Sequence, residues 1–110
     1  VGLGNQFLRH ISRTNILLFL IEPVIENITS TQETFHKLKH EIEKYDTNLL
    51  SEKKIIIAIN KIDLLNEEQQ IELTQQFKKI EIQQISCFLR EGIEELEQKI
   101  IEVINETYRN

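Results

Sequence analysis

Lys54-Ile-Ile-Ile-Ala-Ile-Asn-Lys-Ile-Asp63 is an uninterrupted apolar run, mostly of β-branched residues, that ends abruptly in polar side chains. Such a run is typical of a strand buried on both faces, as in a parallel sheet covered by helices. Open α/β sheets bind their ligands at the carboxyl ends of the strands. Asn60, Lys61 and Asp63 therefore stand where a ligand site is expected.

The segments around this run alternate between helix and strand patterns. A second apolar strand is predicted over residues 15–21, and Glu22-Pro23 ends it because proline cannot donate to a sheet ladder. A third strand, with alternating polarity, is predicted over residues 80–85. The spacing of apolar residues predicts helices over residues 5–13, 30–45, 67–78 and 93–108.

Local signals refine these helices. Ser30-Thr-Gln-Glu33 has the form of a capping box, and Asn66 can cap the helix that follows it. Glu33/Lys37 and Lys37/Glu41 are expected to pair on an exposed face. The residues expected to face the core are Leu3, Phe7, Leu8 and Ile11, then Phe35, Leu38, Ile42 and Tyr45, then Ile71, Thr74 and Phe77, and finally Ile93, Leu96, Ile100, Val103 and Ile104.

Strict alternation predicts an α/β fold in which three parallel strands alternate with four helices. A sheet this thin leaves the outer strand, residues 16–21, unpaired along one edge, and an open apolar edge promotes association. The chain is therefore interpreted as half of a larger sheet whose other half lies upstream, and it is expected to aggregate on its own.

Composition limits the alternatives. The 110 residues fit one domain at most, and their ordinary apolar content favours a globular chain over a disordered one. The net charge of −5 argues against a dedicated nucleic-acid surface, and no apolar run is long enough to span a membrane. The single cysteine, Cys87, suits a reducing, cytoplasmic location. A chain without methionine suggests a piece of a longer protein.

Asn60-Lys61-Ile62-Asp63 resembles Asn-Lys-x-Asp, the guanine-recognition motif of the P-loop GTPases. In that role Asp63 accepts hydrogen bonds from the ring N1–H and the exocyclic amino group of guanine, whereas adenine offers no matching pair of donors. The stem of Lys61 lies along the base plane, and Asn60 ties the loop to neighbouring backbone and reaches the base. A strand that happens to end in a solvated turn is the alternative, because the motif is short.

Ser86-Cys87 follows the next predicted strand, one helix later. GTPases usually carry a Ser-Ala pair here, whose backbone N–H groups point at guanine O6 while the serine hydroxyl steadies the loop around the aspartate. Ser86 fits that role, and Cys87 is small enough to replace the alanine because the contact uses the backbone. Neighbouring parallel strands would bring both loops to one edge of the sheet, as a shared base pocket requires.

Gly2-Leu-Gly-Asn-Gln-Phe-Leu-Arg-His-Ile-Ser-Arg-Thr14 resembles the helix that follows switch II in the Obg GTPases, a bacterial ribosome-associated group. Ser12 replaces a usual glutamate. Leu38, Glu41, Tyr45 and Asp46 match another family segment, and Arg90-Glu-Gly92 matches the turn before the last helix. Where the family usually has an aspartate after the first strand, this chain has Glu22-Pro23, and no role is assigned to Glu22.

The resemblance implies a partial P-loop GTPase domain, Rossmann-like in fold, with residues 1–110 forming the C-terminal half of an Obg-type G domain. The intact protein would bind GTP and GDP, hydrolyse GTP slowly with Mg²⁺, and act with the large ribosomal subunit and its RNA in subunit assembly. The sequence has no Gly-x-x-x-x-Gly-Lys-Ser/Thr loop and no Asp-x-x-Gly segment. The chain alone is therefore expected not to hydrolyse GTP, and no catalytic or metal-binding residue is assigned to it.

The roles of several side chains stay open. Phe88 is expected to pack under the last helix, with a position bordering the base as the alternative, and the simplest expectation for Cys87 is a buried, inert thiol. Arg9, His10 and Arg13 form either a solvated helix face or a contact with RNA or a partner. His36 and His40 have a spacing that could chelate a metal, but no third ligand lies nearby. A related translational GTPase and a small α/β signalling module are the rival classes.

Overall fold

The computed structural model describes residues 4–77 and 80–109 of the chain. Within these ranges the elements run in the order α1 (Asn5–Ser12), β1 (Ile16–Ile21), α2 (Thr29–Tyr45), β2 (Lys54–Ile59), a 3₁₀ turn (Ile62–Leu64), α3 (Glu67–Gln76), β3 (Ile82–Gln84) and α4 (Ile93–Thr107). The predicted α/β fold is confirmed, since the described residues form three parallel strands and four α-helices that alternate. The expected inward side chain of Leu3 and the predicted helix end at residue 78 lie outside the described residues.

The sheet has the order β1-β2-β3, and both pairings are parallel. Its register places Ile21 beside Ile59 and Ile59 beside Gln84. Two further hydrogen bonds extend the ladder past the strand ends, from Asn60 N–H to Ile21 O (2.9 Å) and from Ile85 N–H to Ile59 O (2.8 Å). The carboxyl ends of all three strands therefore meet along one edge of the sheet.

Helices cover both faces of this sheet. The larger core joins α1, α2 and α3 to one face, and Phe35 lies at its centre in edge-to-face contact with Phe19 (ring centroids 5.1 Å apart) and Phe77 (6.0 Å). The smaller core packs Leu96 and Val103 of α4 against Ile56 and Ala58 on the other face. Central strand β2 is buried from both sides, as its unbroken apolar pattern predicts.

Strand β1 forms an open edge, because β2 is its only partner within the described residues. Leu18 and Leu20 point away from the larger core, and Leu20 is 60% exposed. The open edge of β1 was expected, and the continuation of the sheet in an upstream segment stays a prediction. Whether this edge makes the chain aggregate stays a prediction.

Two local predictions about α2 are wrong. The helix begins at Thr29, so Ser30 lies inside its first turn, and the N-cap residue Ile28 makes no side-chain capping bond. The first turn is instead tied back by Thr31, whose buried hydroxyl accepts a hydrogen bond from Val24 N–H (2.9 Å). The expected Glu33/Lys37 and Lys37/Glu41 pairs do not form, and Glu41 approaches Lys44 instead (3.5 Å).

Besides Thr74, four residues expected to face the core are exposed, namely Phe7, Tyr45, Ile71 and Ile104. The clearest case is α3, where Leu73 is buried in place of Ile71. These two residues lie about 200° apart around a helix, so only one of them can face the sheet. Leu73 pairs with Phe77 one turn later, and this pair fixes the face that packs inward. Thr74 is also exposed, but its hydroxyl accepts a hydrogen bond from Gln84 Nε2 (2.7 Å).

Candidate functional site

The loop after β2 presents polar side chains around one buried anchor. Lys61 adopts the left-handed backbone region (φ 65°, ψ 31°), and the 3₁₀ turn that carries Asp63 follows at once. Ile62 is buried, and its N–H donates to Ile85 O (3.1 Å), which ties this loop to the end of β3. A left-handed lysine costs about 1 kcal/mol, and such conformations cluster at functional sites.

The loop after β3 is closed by a two-way backbone bridge. Ser86 N–H donates to Glu91 O (2.9 Å), and Glu91 N–H donates to Ser86 O (3.0 Å). Ser86 is fully buried, and its hydroxyl oxygen also accepts a hydrogen bond from Leu89 N–H (3.0 Å). The bridge therefore fixes the position of Ser86 and turns residues 87–90 toward solvent.

Two hydrogen bonds join the loops. The Ser86 hydroxyl donates to Asp63 Oδ1 (2.7 Å), and Cys87 N–H donates to Asn60 Oδ1 (3.0 Å). The first is the contact that the GTPase resemblance implied for the serine. Asn60, Asp63, Ser86 and Cys87 are thus brought together across two strand ends, and Lys61 lies between Asn60 and the 3₁₀ turn.

The arrangement is suited to binding a group that carries adjacent N–H donors. A carboxylate can accept about four hydrogen bonds, and Ser86 occupies only one of these positions on Asp63. Asp63 is otherwise exposed to solvent, so its second oxygen is open to a ligand. Because Asn60 uses its side-chain oxygen toward Cys87, its NH₂ group remains to donate.

Lys61 makes a contact that the sequence did not predict. Its Nζ lies 3.0 Å from Oε1 of Glu22, the residue that follows β1. No role was assigned to Glu22, because a glutamate before a proline at a strand end has no signature of its own. The only available signal was its position, since β1 and β2 end at the same sheet edge.

Gln70 and Gln84, two glutamines beneath the site, also make contacts that the sequence did not predict. Gln70 of α3 donates through Nε2 to Ile62 O (3.3 Å) and Leu65 O (3.4 Å), at the two ends of the Asp63 turn. Gln84, at the end of β3, donates to Gln70 O (2.9 Å). The two side chains hold α3 against both loops. A glutamine that interrupts a strand two residues before Ser86 could have suggested this contact.

Two expectations beside the pocket are wrong. Phe88 is 86% exposed rather than packed under α4, and the Cys87 thiol is exposed rather than buried. The Ser86–Glu91 bridge explains both, because it makes residues 87–90 the tip of a tight outward turn. Arg9 and His10 are exposed on α1, and Arg13 is exposed directly after the helix. Their roles stay predictions.

Within residues 4–77 and 80–109, no group of three or more His, Cys, Asp or Glu side chains is placed to hold a metal ion. The described helices include none with the length and apolar character needed to cross a bilayer.

Gly92 is expected to be the residue of the Ser86 loop that tolerates substitution least. It has φ 73°, and a Cβ atom added there would stand 2.4 Å from Gln84 O. Gly92→Ala should therefore lower the free energy of unfolding by about 2 kcal/mol or more. Gly4→Ala is the control, since a Cβ there meets nothing within 4 Å and φ is −72°. Equal urea midpoints for the two variants would contradict this account of the loop.

Comparison with curated proteins finds relatives along nearly the whole chain. The GTPase Obg of Fusobacterium nucleatum subsp. nucleatum is 32% identical over 112 residues, which covers 99% of this chain and 26% of that protein. The GTPase Obg of Rickettsia bellii is 37% identical over 112 residues, covering 99% of this chain and 32% of that protein. The GTPase Obg of Borrelia hermsii is 42% identical over 100 residues, which covers 87% of this chain and 28% of that protein. No protein-family model matches the sequence. The chain spans about a quarter to a third of the length of these relatives.

Proposed function

We propose, from the premise that this chain is related to the Obg GTPases, that it is the guanine-binding portion of a GTPase of that type. The observation that carries the proposal is the hydrogen bond from Ser86 to Asp63 (2.7 Å). It joins two loops that lie far apart in sequence at the one sheet edge where parallel folds bind ligands. A loop that merely ends a strand would not need this second tether.

In the proposed pocket each residue has one task. Asp63 accepts hydrogen bonds from guanine N1–H and the exocyclic amino group, and Lys61 lays its methylene stem along the base plane. Asn60 holds the second loop and donates to the base through its NH₂ group. The backbone of the Ser86–Cys87 loop borders guanine O6, and Cys87 N–H serves it by exchanging its bond to Asn60 Oδ1 for the base oxygen, since Ser86 N–H is held by Glu91 O. The cysteine side chain itself carries no role in binding.

The proposal extends to the whole protein. Residues 1–110 form the C-terminal half of the G domain, and the phosphate-binding loop, the switch segments and the Mg²⁺ ligands lie upstream. The open edge of β1 supports this division, because an added strand would pair there and a helix could cover Leu18 and Leu20. The described residues offer no metal cluster, so no step through Mg²⁺ is assigned to this chain.

Activity and partners follow from the same premise. The intact protein binds GTP and GDP, hydrolyses GTP slowly in the cytoplasm, and acts with the large ribosomal subunit during its assembly. Phosphoryl transfer depends on groups that position and neutralise the phosphates. Because this sequence has no phosphate-binding loop, the 110-residue chain alone does not hydrolyse GTP.

Competition between nucleotides tests the proposal. The full-length protein should bind GDP at least about a hundredfold more tightly than ADP, because adenine leaves the Asp63 acceptors without their donors. Displacement of a fluorescent GDP analogue by each nucleotide gives both affinities. Equal affinities would reject guanine recognition, and no binding of either nucleotide would favour a signalling module instead.

A further inference from the structure

Glu22 and Lys61 are held side by side by the sheet rather than by chance. The last rung of the β1–β2 ladder runs from Asn60 N–H to Ile21 O (2.9 Å). Glu22 follows one of these residues and Lys61 follows the other, so the two backbones leave the sheet as neighbours. The left-handed backbone of Lys61 then directs a long side chain whose Nζ ends 3.0 Å from Glu22 Oε1.

We propose that Glu22 is a positioning residue for guanine recognition, which holds the Lys61 side chain in the extended pose that lies along the base. The inference rests on the proposed function, because it assigns a role within the same pocket. Lysine carries a flexible four-carbon stem and a compact ammonium group. Without an anchor, the stem must be ordered anew each time a base binds, and that ordering costs affinity.

The reach of the acid matters as much as its charge. A glutamate extends one methylene further than an aspartate, or about 1.5 Å. Aspartate at position 22 would keep the negative charge but would bring its carboxylate short of Lys61 Nζ. The two side chains remain half exposed or more, so the contact has the modest strength of a surface ion pair. We therefore expect an effect of about two- to fivefold on affinity.

The charge of Glu22 has a second effect that opposes the first. A carboxylate near the pocket repels the phosphates of a nucleotide, although solvent and salt screen this repulsion. Removing the charge should thus relieve repulsion for GDP but not for guanosine, which has no phosphates. Loss of Lys61 positioning weakens both ligands. Guanosine consequently reports the positioning role more cleanly than GDP does.

The experiment compares Glu22→Gln and Glu22→Asp in the full-length protein, with guanosine and GDP as competitors of a fluorescent GDP analogue. Both variants should weaken guanosine binding about two- to fivefold. Glu22→Gln also removes the repelling charge and should weaken GDP binding by less, whereas Glu22→Asp keeps the charge and should weaken the binding of GDP and guanosine equally. Glu26→Gln is the matched control, since it removes the same charge from an exposed residue of the same connection. It should leave guanosine affinity unchanged. In a Lys61→Met background, Glu22→Gln should have no further effect on guanosine binding.

Three results would overturn the inference. Glu22→Asp could retain the parental guanosine affinity while Glu22→Gln loses it, which would make charge rather than reach the cause. Glu22→Gln could tighten GDP binding and leave guanosine unchanged, as simple repulsion predicts. The loss of guanosine affinity caused by Glu22→Gln could also persist undiminished in the Lys61→Met background. A parent protein that fails to prefer GDP over ADP would instead reject the proposed function itself.

Discussion

Asp63→Asn should invert the base preference of the full-length protein from GDP to xanthosine diphosphate. Guanine presents an amino group where xanthine has a carbonyl, so a carboxylate suits the first and an amide NH₂ suits the second. The substitution leaves a guanine donor facing another donor, and a polar group left without its partner in a bound complex costs about 1–3 kcal/mol. We expect GDP affinity to fall by on the order of a hundredfold and xanthosine diphosphate affinity to rise by a similar factor.

The local structure should survive this substitution. Asparagine keeps an oxygen at the position of Asp63 Oδ1, so the hydrogen bond from the Ser86 hydroxyl can still form. Asp46→Asn is the matched control, because Asp46 follows α2 and its carboxylate accepts only from Asn48 N–H in the described structure. It should leave both affinities unchanged. If parent and Asp63→Asn bind both diphosphates equally well, the loop does not read the base.

Phe35→Ala should have the largest effect on stability, lowering the free energy of unfolding by about 3–5 kcal/mol. Phe35 is fully buried where α2 meets β1 and α3, and it contacts the rings of both Phe19 and Phe77. Its removal leaves a cavity that these two rings cannot both close. The loss is comparable to the whole stability of many domains of this size, so partial unfolding at room temperature is expected.

Phe88→Ala provides the control, since it deletes the same side chain from an exposed loop tip. Its free energy of unfolding should stay within about 0.5 kcal/mol of the parent value. Urea unfolding followed by circular dichroism, at low protein concentration to limit association through β1, gives both numbers. Similar losses for the two variants would mean that the core does not centre on Phe35.

The order of the elements could be predicted from the sequence, because each strand is an apolar run with a polar stop. Residues 54–59 and 16–21 lack the apolar spacing of an amphipathic helix. Asn60-Lys61 ends the first run, and Pro23 ends the second. The family resemblance, which depends on the first 14 residues and the two loop motifs, is confirmed by the relatives.

The inward faces of the helices were predicted less well, because several sequence patterns allow more than one face. Ile71 and Leu73 are equally apolar, and only the position of Phe77 against Phe35 decides between them. Ser30 satisfies the capping-box pattern, yet the helix begins one residue earlier, at Thr29. Its first turn is held by the hydrogen bond from Val24 N–H to the Thr31 hydroxyl. Such choices depend on contacts distant in sequence.

The candidate site divides in the same way. Asn60, Lys61, Asp63 and Ser86 belong to short motifs that can be recognised without a structure. The contacts of Glu22 with Lys61 and of Gln70 with Ile62 could not be predicted, because these residues become neighbours only when β1, β2 and α3 are assembled. Phe88 was misplaced because an aromatic residue near a helix usually packs, whereas the backbone bridge after Ser86 holds this one outward.

The bridging of two strand ends at this site also links ligand occupancy to folding. Asp63 and Ser86 are 23 residues apart, and they meet only when β2 and β3 are paired. A ligand that needs both loops binds the folded chain and ignores the unfolded one, so by mass action it stabilises the native state. At a free concentration one hundred times its Kd it would add about 2.7 kcal/mol, enough to offset a moderately damaging substitution elsewhere in the core. Inside a cell, the level of free guanine nucleotide would then help to set how much of this protein escapes degradation.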